Sequence, residues 1–382
     1  MRRCLLSVFA VVVLLPGQAP AQGCCGSWRP QSLLDRFGEA PMVMVGRLQN
    51  AVKPNNALPD GQVELVLDDV LIPHATLKGR RSILLPRHRE ASAQKLLVAV
   101  DIFKGQLDPY FAEPLDDKGE IVKYVIGGLP LKDKPRERAR YNVEFLRSAN
   151  VMVAYSALVE LERIEYKELR KLAETQKPEP WLQGLQDGSR PKHADMYAML
   201  LAHCGKPEDA RLVRKLIDDR DNPGGSTGLM FAYVMLDKKN GWSFVAKWAS
   251  DAKNPFLKRY AALNTMRLFV DERTDVIDTK RGLDGIAGVV HTPDMADFAI
   301  EDMRKRKRWE YCATILDLHG KQGYETAVIQ RSILRYALQC PSPVAKTFVL
   351  IERARDPEFV SETEEILQLY AQSENPQEKQ KR

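Results

Sequence analysis

The chain of 382 residues is longer than one small core requires and has room for two or three ordinary domains. Its 44% hydrophobic and 28% charged content is that of a globular protein and excludes a wholly disordered one. The net charge of +6 comes from 57 basic and 51 acidic residues intermixed along the chain, so charge alone does not argue for nucleic acid, and no nucleic-acid partner is expected.

Residues 1–21 read as a signal peptide. Arg2 and Arg3 form a basic start, Cys4 to Leu15 is an apolar run too short to span a bilayer, and Ala19-Pro20-Ala21 is a small-residue cleavage site. A rival processing site overlaps it: Ala21-Gln22-Gly23-Cys24 resembles a lipobox, in which Cys24 would carry the lipid, although the usual leucine is missing. The expected location is therefore the periplasm or cell surface, with a lipid anchor at Cys24 as the alternative to plain cleavage. No later apolar run reaches membrane-spanning length.

Export permits disulfides. Cys24 and Cys25 are adjacent and are candidates for disulfides to other cysteines, or for lipidation. Cys312 and Cys340 flank a predicted helical turn at unequal distances, an offset of roughly 12 Å of helix rise, which places them beyond disulfide reach if the hairpin is regular. No paired-cysteine zinc pattern is present, and no cofactor or metal is expected.

Residues 24–127 read as a small β-domain. Met42–Gln49, Gln62–Ile72, Arg80–Leu85, Leu96–Phe103 and Ile121–Ile126 are short, β-branched and partly alternating, with turn clusters such as Pro54-Asn55-Asn56 between them. Five strands at this spacing predict a closed or half-closed barrel or a sandwich. Cys24-Cys25, APMVMVGRLQNA, VELVLDDVLIP and KGRRSILLP together resemble the netrin-like, tissue-inhibitor-type domain, which implies an OB-like barrel. That family opens Cys-x-Cys and carries several disulfides, whereas this segment has two cysteines. Of its aromatic residues, Trp28, Phe37, Phe103, Tyr110, Phe111 and Tyr124 could offer rings to a ligand, but core packing is the expected role.

From Lys132 onward the apolar period changes from two to 3.6. Helices are expected at 135–149, 151–163, 166–175 and 181–187, then in the hairpin 191–219. There Tyr197, Leu200, Leu201 and Cys204 share one face, Gly205 stops the helix and Pro207 starts the next. Gly228–Leu236, Trp242–Ser250 and Phe256–Phe269 follow. After a looser stretch at Arg281–Val290 come Met295–Lys307, Trp309–His319, Glu325–Leu338, Val344–Arg353 and Pro357–Gln372. Helices of this length joined by short Gly or Pro turns predict an α-solenoid over 128–372, with a disordered polar tail at 373–382. LeuAlaHisCysGlyLys at 201–206 recurs as AspLeuHisGlyLys at 317–321, and Gly205 and Gly320 lie three intervals of about 38 residues apart. The segment resembles the HEAT and armadillo superfamily, and the whole chain resembles exported bacterial proteins that join a β-domain to HEAT-like repeats. That resemblance implies a fold and supplies no catalytic residues.

Gly224-Gly225-Ser226-Thr227-Gly228 matches a nucleophile elbow, with Ser226 as nucleophile, but a polar loop precedes it instead of the buried strand the motif needs. An EF-hand starting at Asp219 fails at Pro223 and Met230. The six histidines lack metal spacing, and His203 and His319 suit helix C-termini, where a cation complements the dipole. Arg304-Lys305-Arg306-Lys307-Arg308, followed by Trp309, is the sharpest charge feature and the candidate partner-binding site, for an acidic protein, a polyanion or an anionic surface; the competing role is a basic helix end. The expected function is a non-catalytic binding or scaffold protein of the cell envelope, engaging a protein partner. The alternatives are an exported hydrolase with an interdomain site, and a netrin-like protease-inhibitor-type module.

Overall fold

The computed structural model describes residues 30–219 and 227–373 as a mixed α and β architecture, an N-terminal antiparallel sheet followed by a long series of helices. The signal peptide, Cys24, Cys25, Trp28, Ser226 and the tail beyond residue 373 lie outside the described residues.

A short helix, α1 (Leu33–Gly38), opens the described chain with a capping box between Ser32 and Asp35. Five strands follow: β1 (Met42–Val52), β2 (Gln62–Ile72), β3 (Ser82–Leu85), β4 (Ser92–Phe103) and β5 (Gln106–Pro114), in the order β3-β2-β1-β4-β5. They form one sheet, not the two of a sandwich. The edges β3 and β5 approach each other without sharing a ladder, so the sheet curls. Central β1 is buried on both faces because its residues alternate between two cores. Val43 and Val45 join Phe37, Tyr124, Val153 and Ala157, whereas Met42 and Met44 join Leu65, Ile83, Val98 and Val100. The first of these cores includes helices on both sides of residue 128, so sheet and helices share apolar packing.

The expected strand at Ile121–Ile126 is instead a helix, α2 (Glu120–Gly128). Ile121, Tyr124, Val125 and Gly128 are its buried residues, a spacing of i, i+3, i+4 and i+7 that fits a helix. Asp116 accepts from the Glu120 N–H at 3.0 Å and fixes the start. The fifth strand is β5, joined to β4 by Lys104-Gly105, both with positive φ (50° and 77°), as a two-residue hairpin turn requires. Pro109 and a register shift opposite Ala99/Val100 mask its alternation.

The helices are α3 (Pro135–Phe145), α4 (Val151–Leu161), α5 (Tyr166–Ala173), α6 (Glu179–Asp187), α7 (Ala194–Cys204), α8 (Ala210–Asp218) and α9 (Thr227–Leu236). They continue as α10 (Gly241–Ser250), α11 (Phe256–Glu272), α12 (Thr279–Gly288), α13 (Ala296–Lys305), α14 (Cys312–Leu316), α15 (Ala327–Gln339), α16 (Pro343–Arg355) and α17 (Pro357–Ser373). The stretch expected to be loose at 281–290 is largely α12, started by the Asp278 side chain accepting from the Arg281 N–H at 2.9 Å.

Alternate helices pack on one another: α3 on α5, α5 on α7, α7 on α9, α9 on α11, α13 on α15 and α15 on α17. Ion pairs join α11 to α13 and to the residues that flank it, Asp294 in the preceding 3-10 turn and Arg306 at its C-cap, at one constant offset. Arg267 Nε meets Asp302 Oδ2 at 2.7 Å, Arg259 Nη1 meets Asp294 Oδ1 at 2.8 Å, and Arg306 Nη2 meets Asp271 Oδ2 at 2.9 Å, each across 35 residues. A constant offset requires α11 and α13 to run parallel, with α12 returning between them. The same offset continues to α15, where Arg304 donates to Gln339 Oε1 at 2.7 Å. One apolar core runs through this series from Ala139 to Ala345.

Candidate functional site

The cavity that joins the two parts of the chain is an open cleft of about 650 Å³ between α1, α3, the end of α4 and the start of α5. Its floor is a buried polar network. Glu160 (7% exposed) accepts a hydrogen bond from Ser32 Oγ and a two-pronged one from Arg138, with Nε–Oε2 at 2.6 Å and Nη2–Oε1 at 2.8 Å. Arg163 donates to Asp35 Oδ1 at 3.0 Å and to the Pro30 carbonyl at 2.5 Å. A second chain runs behind it. The Leu33 N–H donates to Ser156 Oγ (2.8 Å), Ser156 to Tyr124 Oη (3.0 Å), and Tyr124 to Asn142 Oδ1 (2.6 Å). These bonds hold α1 and α2 against α3 and α4.

Burial would push the Asp35 carboxyl up, but hydrogen bonds from Arg163 and from the Ser32 backbone hold it below the usual carboxylate range. Burial likewise works against the Arg138 guanidinium, and its bonds to Glu160 outweigh that and raise it. At the rim Arg136 pairs with Glu168 at 2.8 Å, while Lys132 and Glu165 meet no opposite charge among the described residues. The lining holds no Ser, Thr, Cys or His, and its Asp35 and Glu160 carboxylates are engaged by arginine. The cleft offers paired charges at its surface; the one hydroxyl set against a carboxylate, Ser32 on Glu160, is fully buried beneath the lining.

The basic run at the end of α13 divides in two. Arg304 is buried, bonded to Glu301 at 2.7 Å and to Gln339; Arg306 forks onto Asp271; and Arg308 meets Glu310 at 2.8 Å. Trp309 is half-buried with its ring edge-on to Tyr336, centroids 5.2 Å apart. Lys305 and Lys307 alone are exposed, and among the described residues neither meets a carboxylate. Lys307 closes the helix in the left-handed region (φ 55°): its N–H donates to the Arg304 carbonyl at 3.0 Å and the Arg308 N–H to the Met303 carbonyl at 2.9 Å, the Schellman pattern in which glycine is the usual closing residue.

His203 does not act as a helix-end cation. Burial, with Arg273 and Arg170 adding to it, pushes His203 down to about 4, so the ring is neutral at pH 7 and shares a hydrogen bond with Tyr166 Oη at 3.2 Å. Burial lowers His319 as well, beside Glu352 at 3.5 Å. Phe37 and Tyr124 are core residues as expected, whereas Phe103 (62%) and Tyr110 (43%) are exposed.

The cleft escaped sequence reading because Asp35, Arg138 and Glu160 come from three separated segments with no local motif. The one readable sign was the Ser32-x-x-Asp35 capping pair, which marks the helix start but not what it faces. Among the described residues, no group of three or more His, Cys, Asp or Glu is placed to hold a metal, and no helix is long and apolar enough to cross a membrane. Comparison with known protein families, curated proteins and solved structures returns no match for this chain.

Proposed function

We propose that the chain is a non-catalytic binding or scaffold protein of the bacterial cell envelope, whose helical part is an α-solenoid of HEAT-like hairpins engaging a protein partner. The observation that carries this reading is the constant 35-residue offset joining α11, α13 and α15. A repeated unit of helix and returning helix, stacked on its neighbour in the same direction, is how a solenoid is built, and such stacks present long surfaces to partners. The offset is close to the unit of about 38 residues suggested by the recurring LeuHis…GlyLys segments. The curled five-stranded sheet supports an OB-like β-domain at the N-terminal end. Lys305 and Lys307 form the partner contact within the basic run, since the three arginines are committed to neighbouring helices.

Affinity capture from an envelope extract tests this, with Lys305→Gln/Lys307→Gln beside the unaltered chain. Retention of one specific protein by the unaltered chain and its loss from the double variant support the reading. Equal retention by both removes the two lysines from the interface.

The second reading is an exported hydrolase with an interdomain site, and the cleft between α1 and α3–α5 favours it. Turnover abolished by a single substitution in the cleft would establish that reading and displace the first.

A further inference from the structure

Cys312 is the first residue of α14 and Cys340 closes α15, and the expectation that helix rise separates them does not hold. The hairpin is irregular: α14 has five residues, a 3-10 turn (Trp309–Tyr311) precedes it, and the chain turns through Gly320 and Gly323, both at positive φ, before α15 begins. That geometry folds the start of α14 back beside the end of α15. Both residues are buried, 5% and 4% exposed, in the same apolar core, and α14 packs on both α15 and α16. Both are free thiols in this structure, and the Cys340 thiol is near enough to act on that of Cys312, as are the Ser342 side chain and the Ala345 backbone just beyond it in the chain. Among the described residues Cys204 has no such neighbour: its thiol donates to the Leu200 carbonyl at 3.3 Å within its own helix.

We propose that Cys312 and Cys340 are a dithiol site that oxidises to a disulfide, stapling α14 to the end of α15. The step exchanges partners with an external disulfide such as oxidised glutathione or a dithiol oxidase. One thiolate attacks the external disulfide and releases a thiol, and the second thiolate then displaces the other. Two S–H bonds and the external S–S bond are lost, one protein S–S bond and two external thiols form, and the oxidant takes up the two electrons. Burial pushes the Cys312 thiol up to about 11, with the Cys340 thiol adding to it, so the packed site presents little thiolate. Oxidation therefore belongs to the folding chain or to local opening of α14, and a bond once formed is shielded from reductant.

Peptide mapping of the full chain tests this without any variant. The protein is refolded in a glutathione redox buffer, free thiols are alkylated under denaturing conditions, and the digest is compared with and without reduction. A peptide pair joining Cys312 to Cys340, with Cys204 alkylated, is expected. The oxidised chain should melt roughly 5–10 °C above the reduced one, a difference absent in Cys312→Ser and Cys340→Ser. Recovery of both cysteines as alkylated monomers after oxidative refolding, or pairing of Cys312 with a different cysteine, overturns the proposal.

Discussion

Arg267 and Asp302 meet at 2.7 Å across 35 residues of chain, and the pairs Arg259–Asp294 and Asp271–Arg306 repeat that offset from α11 to the two ends of α13. Three rungs at one offset fix the register of α11 on α13, so each pair reports on how these helices are held as well as on its own electrostatics. Arg267 and Asp302 are the most enclosed of the three pairs, with side chains 23% and 12% exposed. Arg267→Ala strands a largely buried carboxylate and should cost roughly 2 kcal/mol, read as a lower urea midpoint with an unchanged slope. In a double-mutant cycle with Asp302→Asn the two effects should fall short of adding.

Arg138→Ala should cost more, about 3 kcal/mol, because Glu160 is 7% exposed and would keep only the Ser32 hydroxyl and a longer, 3.7 Å ion pair with Arg163. Since that network ties α1 to α3 and α4, hydrogen exchange in residues 30–40 should accelerate along with the loss of stability.

Two half-buried groups titrate in opposite senses. Burial pushes Asp195 up to about 6 despite N–H bonds from Gly228 and Leu229. The folded chain thus holds this proton more tightly than the unfolded chain, and the resulting stabilisation is full below 3.8 and lost as pH rises through about 6. His203, lowered from 6.5 to about 4, gives stabilisation that is full above 6.5 and lost as pH falls towards 4. Urea unfolding between pH 4.5 and 6.5 should show stability rising more steeply with pH in Asp195→Asn, and less steeply in His203→Gln, than in the unaltered chain.

Two glycines form an internal contrast. A Cβ at Gly228 would overlap the Asp195 carbonyl oxygen and lie 2.8 Å from its carbonyl carbon, where α9 crosses the start of α7. Gly228→Ala should cost about 3 kcal/mol, because neither backbone can give way. A Cβ at Gly288 meets nothing within 4 Å, and its φ is −58°, so Gly288→Ala should be neutral or stabilise by about 0.5 kcal/mol.

Much of the helical register could be read in advance, and for a physical reason. In the hairpin α7–α8 the apolar faces, the Gly205 stop and the Pro207 start are all local signals, and all agree. The strands β1 and β2 were readable because Val43-Met44-Val45 is an apolar run and Val63-Glu64-Leu65 alternates apolar with polar. Failures occurred where local signals are ambiguous or weak. Residues 121–126 satisfy both a strand and a helix, and the Asp116 cap decides. Proline and a bulge hide β5, and α12 carries Gly282, Gly285 and Gly288 where helix formers are expected. The pairing of distant side chains, as in Glu160 with Arg138 and Ser32 or Cys312 with Cys340, depends on irregular turns and tertiary packing that no window of sequence contains.

Lys307 separates stability from binding. As a non-glycine residue at φ 55° closing α13, it carries a backbone cost that glycine relieves, so Lys307→Gly should raise stability by about 1 kcal/mol. The same substitution should weaken retention of the partner, since it removes one of the two exposed cations of the basic run. A variant that is more stable and binds less well cannot owe its loss of binding to misfolding.

The most direct measurement is amine-reactive cross-linking of the full chain in an envelope extract, with cross-linked peptides read by mass spectrometry. Inter-protein cross-links are expected to converge on Lys305 and Lys307 and to join them to a single partner. Cross-links spread evenly over the exposed lysines, or concentrated on Lys132 at the cleft rim, would contradict a binding surface at the end of α13, and the second pattern would point to the cleft instead.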